Sequence, residues 1–136
     1  MKLKPGDIVI QNGANSQVGK FVIQFAKTMG MKTVNIVRDP KNKENPAERK
    51  EKIDDLKKLG AGSTFYFCHK VYPVINSLHI LDFVFFESEM GTNKEGIIKE
   101  LGGSKPCLAL NCIAGKSGSN LAEILGESGV LVTYGS

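Results

Sequence analysis

The chain has 136 residues, 41% hydrophobic and 24% charged, with 15 glycines and 5 prolines. That length suits one domain burying roughly two-thirds of its unfolded surface, and the composition excludes a disordered, collagenous or low-complexity segment. Eighteen Lys and Arg against 14 Asp and Glu leave a net charge of +4, a mild excess that favours a solvated surface with an anionic ligand over nucleic acid.

Three cysteines, Cys68, Cys107 and Cys112, rule out a full disulfide framework, and none is spaced as C-x-x-C. Reduced thiols and no metal site are expected. The N-terminus, Met1 to Asp7, carries neither the apolar core of a secretory signal nor the Arg- and Ser-rich pattern of a transit peptide. No membrane span is expected, because Lys70, Pro73, Asn76 and Asp82 interrupt the longest apolar stretch.

In chain order, Ile8-Val9-Ile10 before Gln11-Asn12-Gly13 reads as a buried parallel strand. Val18, Phe21, Val22, Phe25, Ala26 and Met29 then recur at helical spacing, predicting a helix that buries this stripe and stops at Gly30. Thr33–Val37 reads as a second strand. Asn45, Pro46 and Glu48 announce the next helix as cap, first turn and capping-box partner. Its Glu48/Lys52 and Asp54/Lys58 pairs lie on the wet face, with Ile53, Leu56 and Leu59 turned inward. A third strand is expected near Ser63–Phe65. Further on come a helix over Asn93–Leu101, a strand over Cys107–Ile113, a short helix over Ser119–Leu125 and a strand over Val130–Tyr134. Alternating strands and helices predict a doubly wound parallel sheet, Rossmann-like, in three α/β/α layers.

One stretch departs from this rhythm. Phe65 to Phe86 holds seven of the ten aromatics and both histidines, His69 and His79, with no clean period. Residues 66–85 are read as an insertion, with an extra strand or a lid as alternatives. Tyr66 and Tyr72 read as packing residues, and the histidines lack partners at metal-ligand spacing.

The chemistry falls in the loop Gly13-Ala14-Asn15-Ser16-Gln17-Val18-Gly19-Lys20. It lies where a βαβ unit brings backbone amides and a helix N-terminus onto a pyrophosphate. The middle glycine of G-x-G-x-x-G is replaced by Asn15-Ser16. A Walker A reading fails, because Gly13 to Lys20 is one residue too long and Phe21 stands where magnesium needs Ser or Thr. The second strand ends in Val37-Arg38-Asp39, about 20 residues past Gly19, at the position of the adenosine ribose. A guanidinium suits a 2′-phosphate by charge and donor geometry, with Lys41 and Lys43 adding positive potential. The alternatives are a solvated strand-end Arg38 and an Asp39 that only forms the turn before Pro40.

The segments GDIVIQNGANSQVGKFVIQFAK, TVNIVRDP, LALNCIAGKS and LVTYGS together resemble the mitochondrial trans-2-enoyl-CoA reductases of the medium-chain dehydrogenase/reductase superfamily. The resemblance implies NADPH as cofactor, held by Asn15, Ser16, Gln17, Val18, Arg38 and Asp39, with Tyr134 and Gly135 near the nicotinamide. Asn111 and Cys112 would line the same cleft. It implies a parent that reduces an enoyl thioester of CoA or acyl carrier protein in mitochondrial fatty-acid synthesis, as a homodimer. Gln17 stands where many members carry a small residue. No residue matches the family's catalytic tyrosine, so no catalytic residue is assigned. The chain is expected to be residues 1–136 of a cofactor domain incomplete at its C-terminal end and inactive alone. A quinone-type oxidoreductase of the same superfamily and a non-catalytic NADP(H)-binding module are the competing readings.

Overall fold

The computed structural model describes residues 2–41, 45–58 and 83–135. Five strands, β1 (Ile8–Gln11), β2 (Lys32–Val37), β3 (Phe83–Phe86), β4 (Leu108–Asn111) and β5 (Val130–Thr133), form one sheet in the order β3-β2-β1-β4-β5. All four pairings are parallel. Helices α1 (Gln17–Thr28), α2 (Pro46–Lys57), α3 (Glu87–Thr92), α4 (Lys94–Glu100) and α5 (Lys116–Ile124) connect them.

Alternation along the strands sorts the core into two layers, since successive side chains point to opposite faces. Ile8, Ile10, Val34 and Ile36 face Met90, Ile97, Leu121 and Ile124, so α3, α4 and α5 cover that side. On the other side Val84 and Phe86 pack with Ile23 and Leu56, and Val9 packs with Ala26 and Met31, which brings in α1 and α2. This is the expected doubly wound, three-layer α/β/α architecture. The Asn45 carboxamide caps α2, accepting from the Ala47 and Glu48 amides at 3.0 and 3.4 Å, and Arg49 of α2 stacks its guanidinium 4.1 Å from the centre of the Phe86 ring.

One expectation needs correction, and two others fall wholly or partly outside the described residues. The face of α1 turned to the sheet is Gly19, Ile23 and Ala26, so of the predicted stripe only Ala26 is fully buried. Phe21 and Phe25 are 65% and 53% exposed and stack on each other at 6.1 Å. Two small residues flanking Ile23 let the helix sit close to the sheet, which turns the bulky stripe roughly a quarter turn outward. Secondly, the strand pairing with β2 is Phe83–Phe86, in register Val34↔Phe83 to Val37↔Phe86. The predicted strand near Ser63–Phe65 lies outside the described residues. Thirdly, Phe83, Val84 and Phe85, placed inside the insertion, are core residues at most 6% exposed. The remainder of that segment, residues 66–82 with His69, His79, Tyr66 and Tyr72, lies outside the described residues. The helix α3 was not foreseen. Its first turn is closed by Glu89, whose carboxylate accepts the Phe86 amide at 2.7 Å.

Candidate functional site

From β1 the chain moves through α1 to β2, while β4 lies on the opposite side of β1. The order reverses between β1 and β4, and at such a switch point the loops after the strands diverge to leave a crevice. Asn12 and Gly13 form one lip, and Asn111 and Cys112 the other. The lips touch: Gly13 has φ +56°, and a Cβ there would lie 2.5 Å from the Cys112 Sγ. Only glycine meets both conditions.

Past Gly13 the loop folds tightly into α1. The Ser16 amide donates to the Gly13 carbonyl at 2.9 Å, and the Ala14 amide to the Ile36 carbonyl of β2 at 3.1 Å. Ser16 is the N-cap; its hydroxyl accepts from the Gly19 amide at 3.1 Å. Lys20 donates to the Ser16 carbonyl. The Gln17 and Val18 amides, at the first two helical positions, have no acceptor one turn earlier and remain open donors. They stand at the positive end of a 12-residue helix with no acidic residue in its first turn, and Asn15, Ser16, Gln17 and Val18 are all exposed there. This donor set fits a diphosphate. Gly19 makes the approach possible, because a Cβ on it would strike the Ala14 carbonyl.

At the end of β2, Arg38 is exposed and its carbonyl accepts from Lys52 Nζ of α2 at 3.0 Å. No ion pair of Arg38 occurs among the described residues, so its guanidinium is a free charge. Asp39 is not free. One carboxylate oxygen accepts from the Ser88 amide at 2.9 Å and the other from the Ser88 hydroxyl at 2.6 Å. Lys41 is exposed nearby, and Lys43 lies outside the described residues.

Across the crevice runs a hydrogen-bonded chain that sequence reasoning missed. Glu87 accepts from the Ser117 hydroxyl at 2.6 Å. The Asn12 amide group donates to Ser117 Oγ at 2.9 Å and to Asn111 Oδ1 at 2.6 Å. Asn111 Nδ2 donates on to Thr133 Oγ1 at 3.1 Å, and Asn12 Oδ1 accepts from the Cys112 amide at 2.8 Å. The chain ties α3, α5, β4 and β5 to the end of β1. Its legible signal was a pair of carboxamides, Asn12 and Asn111, at the ends of apolar strands. Gly118 belongs to the same construction, since a Cβ there would meet the Asn111 amide at 2.8 Å.

Tyr134 follows β5 and donates its amide to the Asn111 carbonyl at 2.9 Å. Its hydroxyl is shut off from solvent and makes no hydrogen bond of ordinary geometry. Burial, and next the neighbouring Cys112 thiol, push its pKa up to about 12, so the phenol keeps its proton through the neutral range. Gly135 has φ +80°. The expected site residues thus fall into two groups: Asn15 to Val18 with Arg38 and Asp39 on the β1–β2 side, and Asn111, Cys112, Tyr134 and Gly135 on the β4–β5 side. Among the described residues, no cluster of three or more His, Cys, Asp or Glu could hold a metal, and no helix is long and apolar enough to cross a membrane.

A parallel sheet whose switch-point crevice meets an open, glycine-lined helix N-terminus defines a Rossmann-like α/β domain. The sequence places it further: the chain is homologous to a segment of the mitochondrial enoyl thioester reductases. It is 38% identical to the mitochondrial enoyl-[acyl-carrier-protein] reductase of Rattus norvegicus over 98% of the chain, and 41% identical to one from Caenorhabditis elegans, also over 98%. In both cases it spans only 29% of the relative's length. The Etr1p/NADP/crotonyl-CoA complex superposes with a TM-score of 0.72 at 29% identity, covering 99% of this chain and 31% of that one. The Etr1p/Etr2p heterodimer from Candida tropicalis gives the same score at 30% identity, again over 99% of this chain and 31% of that one. The CurK enoyl reductase, 19% identical with a TM-score of 0.66, shares the fold. No protein-family model matches the chain.

Proposed function

We propose that this chain is the NADP(H)-binding domain of a mitochondrial enoyl thioester reductase. The observation that carries the reading is the pairing of the open Gln17 and Val18 amides with the free Arg38 guanidinium. The amides suit a diphosphate, and the guanidinium, one strand over, suits a phosphate on the ribose. Support comes from relatives named as such reductases and from a solved relative whose complex contains NADP and crotonyl-CoA.

In this reading the bound nicotinamide supplies a hydride for the β-carbon of a 2-enoyl thioester. The chain's own residues bind and orient. Asn15 and Ser16 shape the turn, Gln17 and Val18 donate amides, and Arg38 takes the 2′-phosphate. Asn111, Cys112, Tyr134 and Gly135 form the floor beyond the switch point. Tyr134, protonated and shielded, is a wall and not the proton donor of the reaction. No residue of this chain is assigned as the acid that protonates the α-carbon, and the thioester's carrier is CoA or acyl carrier protein. The Etr1p/Etr2p heterodimer supports a paired parent, and pairing of identical chains is the finer proposal, checked by sedimentation.

The test is a fluorescence titration of the full-length polypeptide with NADPH and with NADH. Arg38→Ala is expected to weaken NADPH by about 1–3 kcal/mol, the scale of a charge-assisted bond, and to leave NADH nearly unchanged. Equal losses for the two nucleotides would refute the assignment.

A further inference from the structure

Among the described residues, three carboxylates lie around the ends of β2 and β3: Asp39, Glu87 and Glu89. Each is committed to a donor of the protein itself. Glu89 takes the Phe86 amide, Glu87 the Ser117 hydroxyl, and Asp39 both the amide and the hydroxyl of Ser88. Among the described residues Arg38 makes no ion pair at that edge, and Lys52 holds its carbonyl from the α2 side.

The register builds this latch. Val37 pairs with Phe86, so the two residues that follow each strand, Arg38-Asp39 and Glu87-Ser88, leave the sheet side by side. A carboxylate one residue past Arg38 has two uses open to it. Free, it accepts hydrogen bonds from the two hydroxyls of an unphosphorylated ribose and repels a 2′-phosphate. With both oxygens accepting from a neighbour, it keeps fewer acceptor sites for the ribose, is held in one orientation, and has part of its charge offset by the two donors. We propose that Ser88 is a specificity-determining positioning residue. By occupying both oxygens of Asp39 it withdraws that carboxylate from ribose recognition and leaves Arg38 to select a 2′-phosphorylated nucleotide. The inference rests on the cofactor reading above and adds to it a residue of α3, remote in sequence from both the glycine loop and Arg38.

The test compares Ser88→Ala, Ser88→Thr and the double variant Ser88→Ala/Asp39→Asn in the full-length polypeptide, each titrated with NADPH and NADH. Losing the hydroxyl frees one Asp39 oxygen, so Ser88→Ala is expected to lower the NADPH:NADH preference about three- to tenfold, the scale of one hydrogen bond. The two affinities should move in opposite directions, NADPH weaker and NADH tighter, whereas general loss of structure would weaken both. Ser88→Thr keeps the hydroxyl and should keep the preference, and Asp39→Asn should restore it in the Ser88→Ala background by removing the freed charge. A Ser88→Ala preference within about twofold of the parent, or a parallel loss of both nucleotides, overturns the latch. Arg38→Ala, run alongside, separates the two ideas. If it lowers the preference and Ser88→Ala does not, only the latch has failed; if it does not, the cofactor reading fails and the latch with it.

Discussion

Asn12 offers the most direct measure of how the crevice is held together. It is fully buried, and its carboxamide makes three hydrogen bonds, to Asn111, to Ser117 and from the Cys112 amide. Asn12→Ala removes all three. Asn111 Oδ1 keeps the Ile113 amide at 3.2 Å and Ser117 keeps Glu87, but the Cys112 amide loses its acceptor. At a net of about 1 kcal/mol per bond, with a further penalty for a stranded amide, the loss should be about 3–4 kcal/mol. In a domain of this size that lowers the melting temperature by roughly 10 °C. Urea denaturation followed by far-UV circular dichroism reads the change as a shifted midpoint at constant slope. Asn12→Asp, close in shape, should cost at least as much, because it replaces both donated bonds with a carboxylate facing Asn111 Oδ1 and near Glu87. A loss below about 1 kcal/mol for Asn12→Ala would refute the claim that this network, and not apolar packing alone, joins the two lips.

Deleting residues 66–85 would remove Phe83, Val84 and Phe85, all buried and paired with β2. With about 3–5 kcal/mol at stake for each large core side chain, the variant should fail to fold cooperatively, and a deletion that melts at or above the parent would refute β3 as described. Gly19→Ala gains up to about 1 kcal/mol of helix propensity but drives a Cβ into the Ala14 carbonyl, so a net loss of about 1–3 kcal/mol is expected in thermal denaturation; a gain in stability would show that the loop yields. Because the folded-state pKa of Tyr134 is raised to about 12 over an unfolded value near 10, its contribution is complete below about pH 10 and is lost as pH rises toward 12. Tyrosinate absorbance should show a late-titrating group that disappears in Tyr134→Phe, and titration of all three tyrosines near pH 10 would contradict its burial.

Much of this architecture could be read along the chain because it depends on local signals. Strands β1, β2, β4 and β5 are short apolar runs bounded by glycine or polar residues, and alternation of strand and helix leaves few topologies besides a parallel wound sheet. The cap of α2 is written in Asn45-Pro46, and the glycine loop announces the end of β1 and the start of α1. What could not be read locally is what each element meets. The outward turn of Phe21 and Phe25 depends on how closely Gly19 and Ala26 let α1 approach the sheet, a property of the contact and not of side-chain polarity. The strand at Phe83–Phe86 lacked a period because it is buried on both faces, where alternation disappears. That Asp39 accepts from Ser88, 49 positions away, follows only from the register Val37↔Phe86. Asn12, Asn111 and Ser117 are likewise far apart in sequence, 99 and 105 positions from Asn12. Local propensity determines which segments become strands and helices, whereas hydrogen bonds spanning such distances exist only once the sheet order brings strand ends together, and the crevice is made of those.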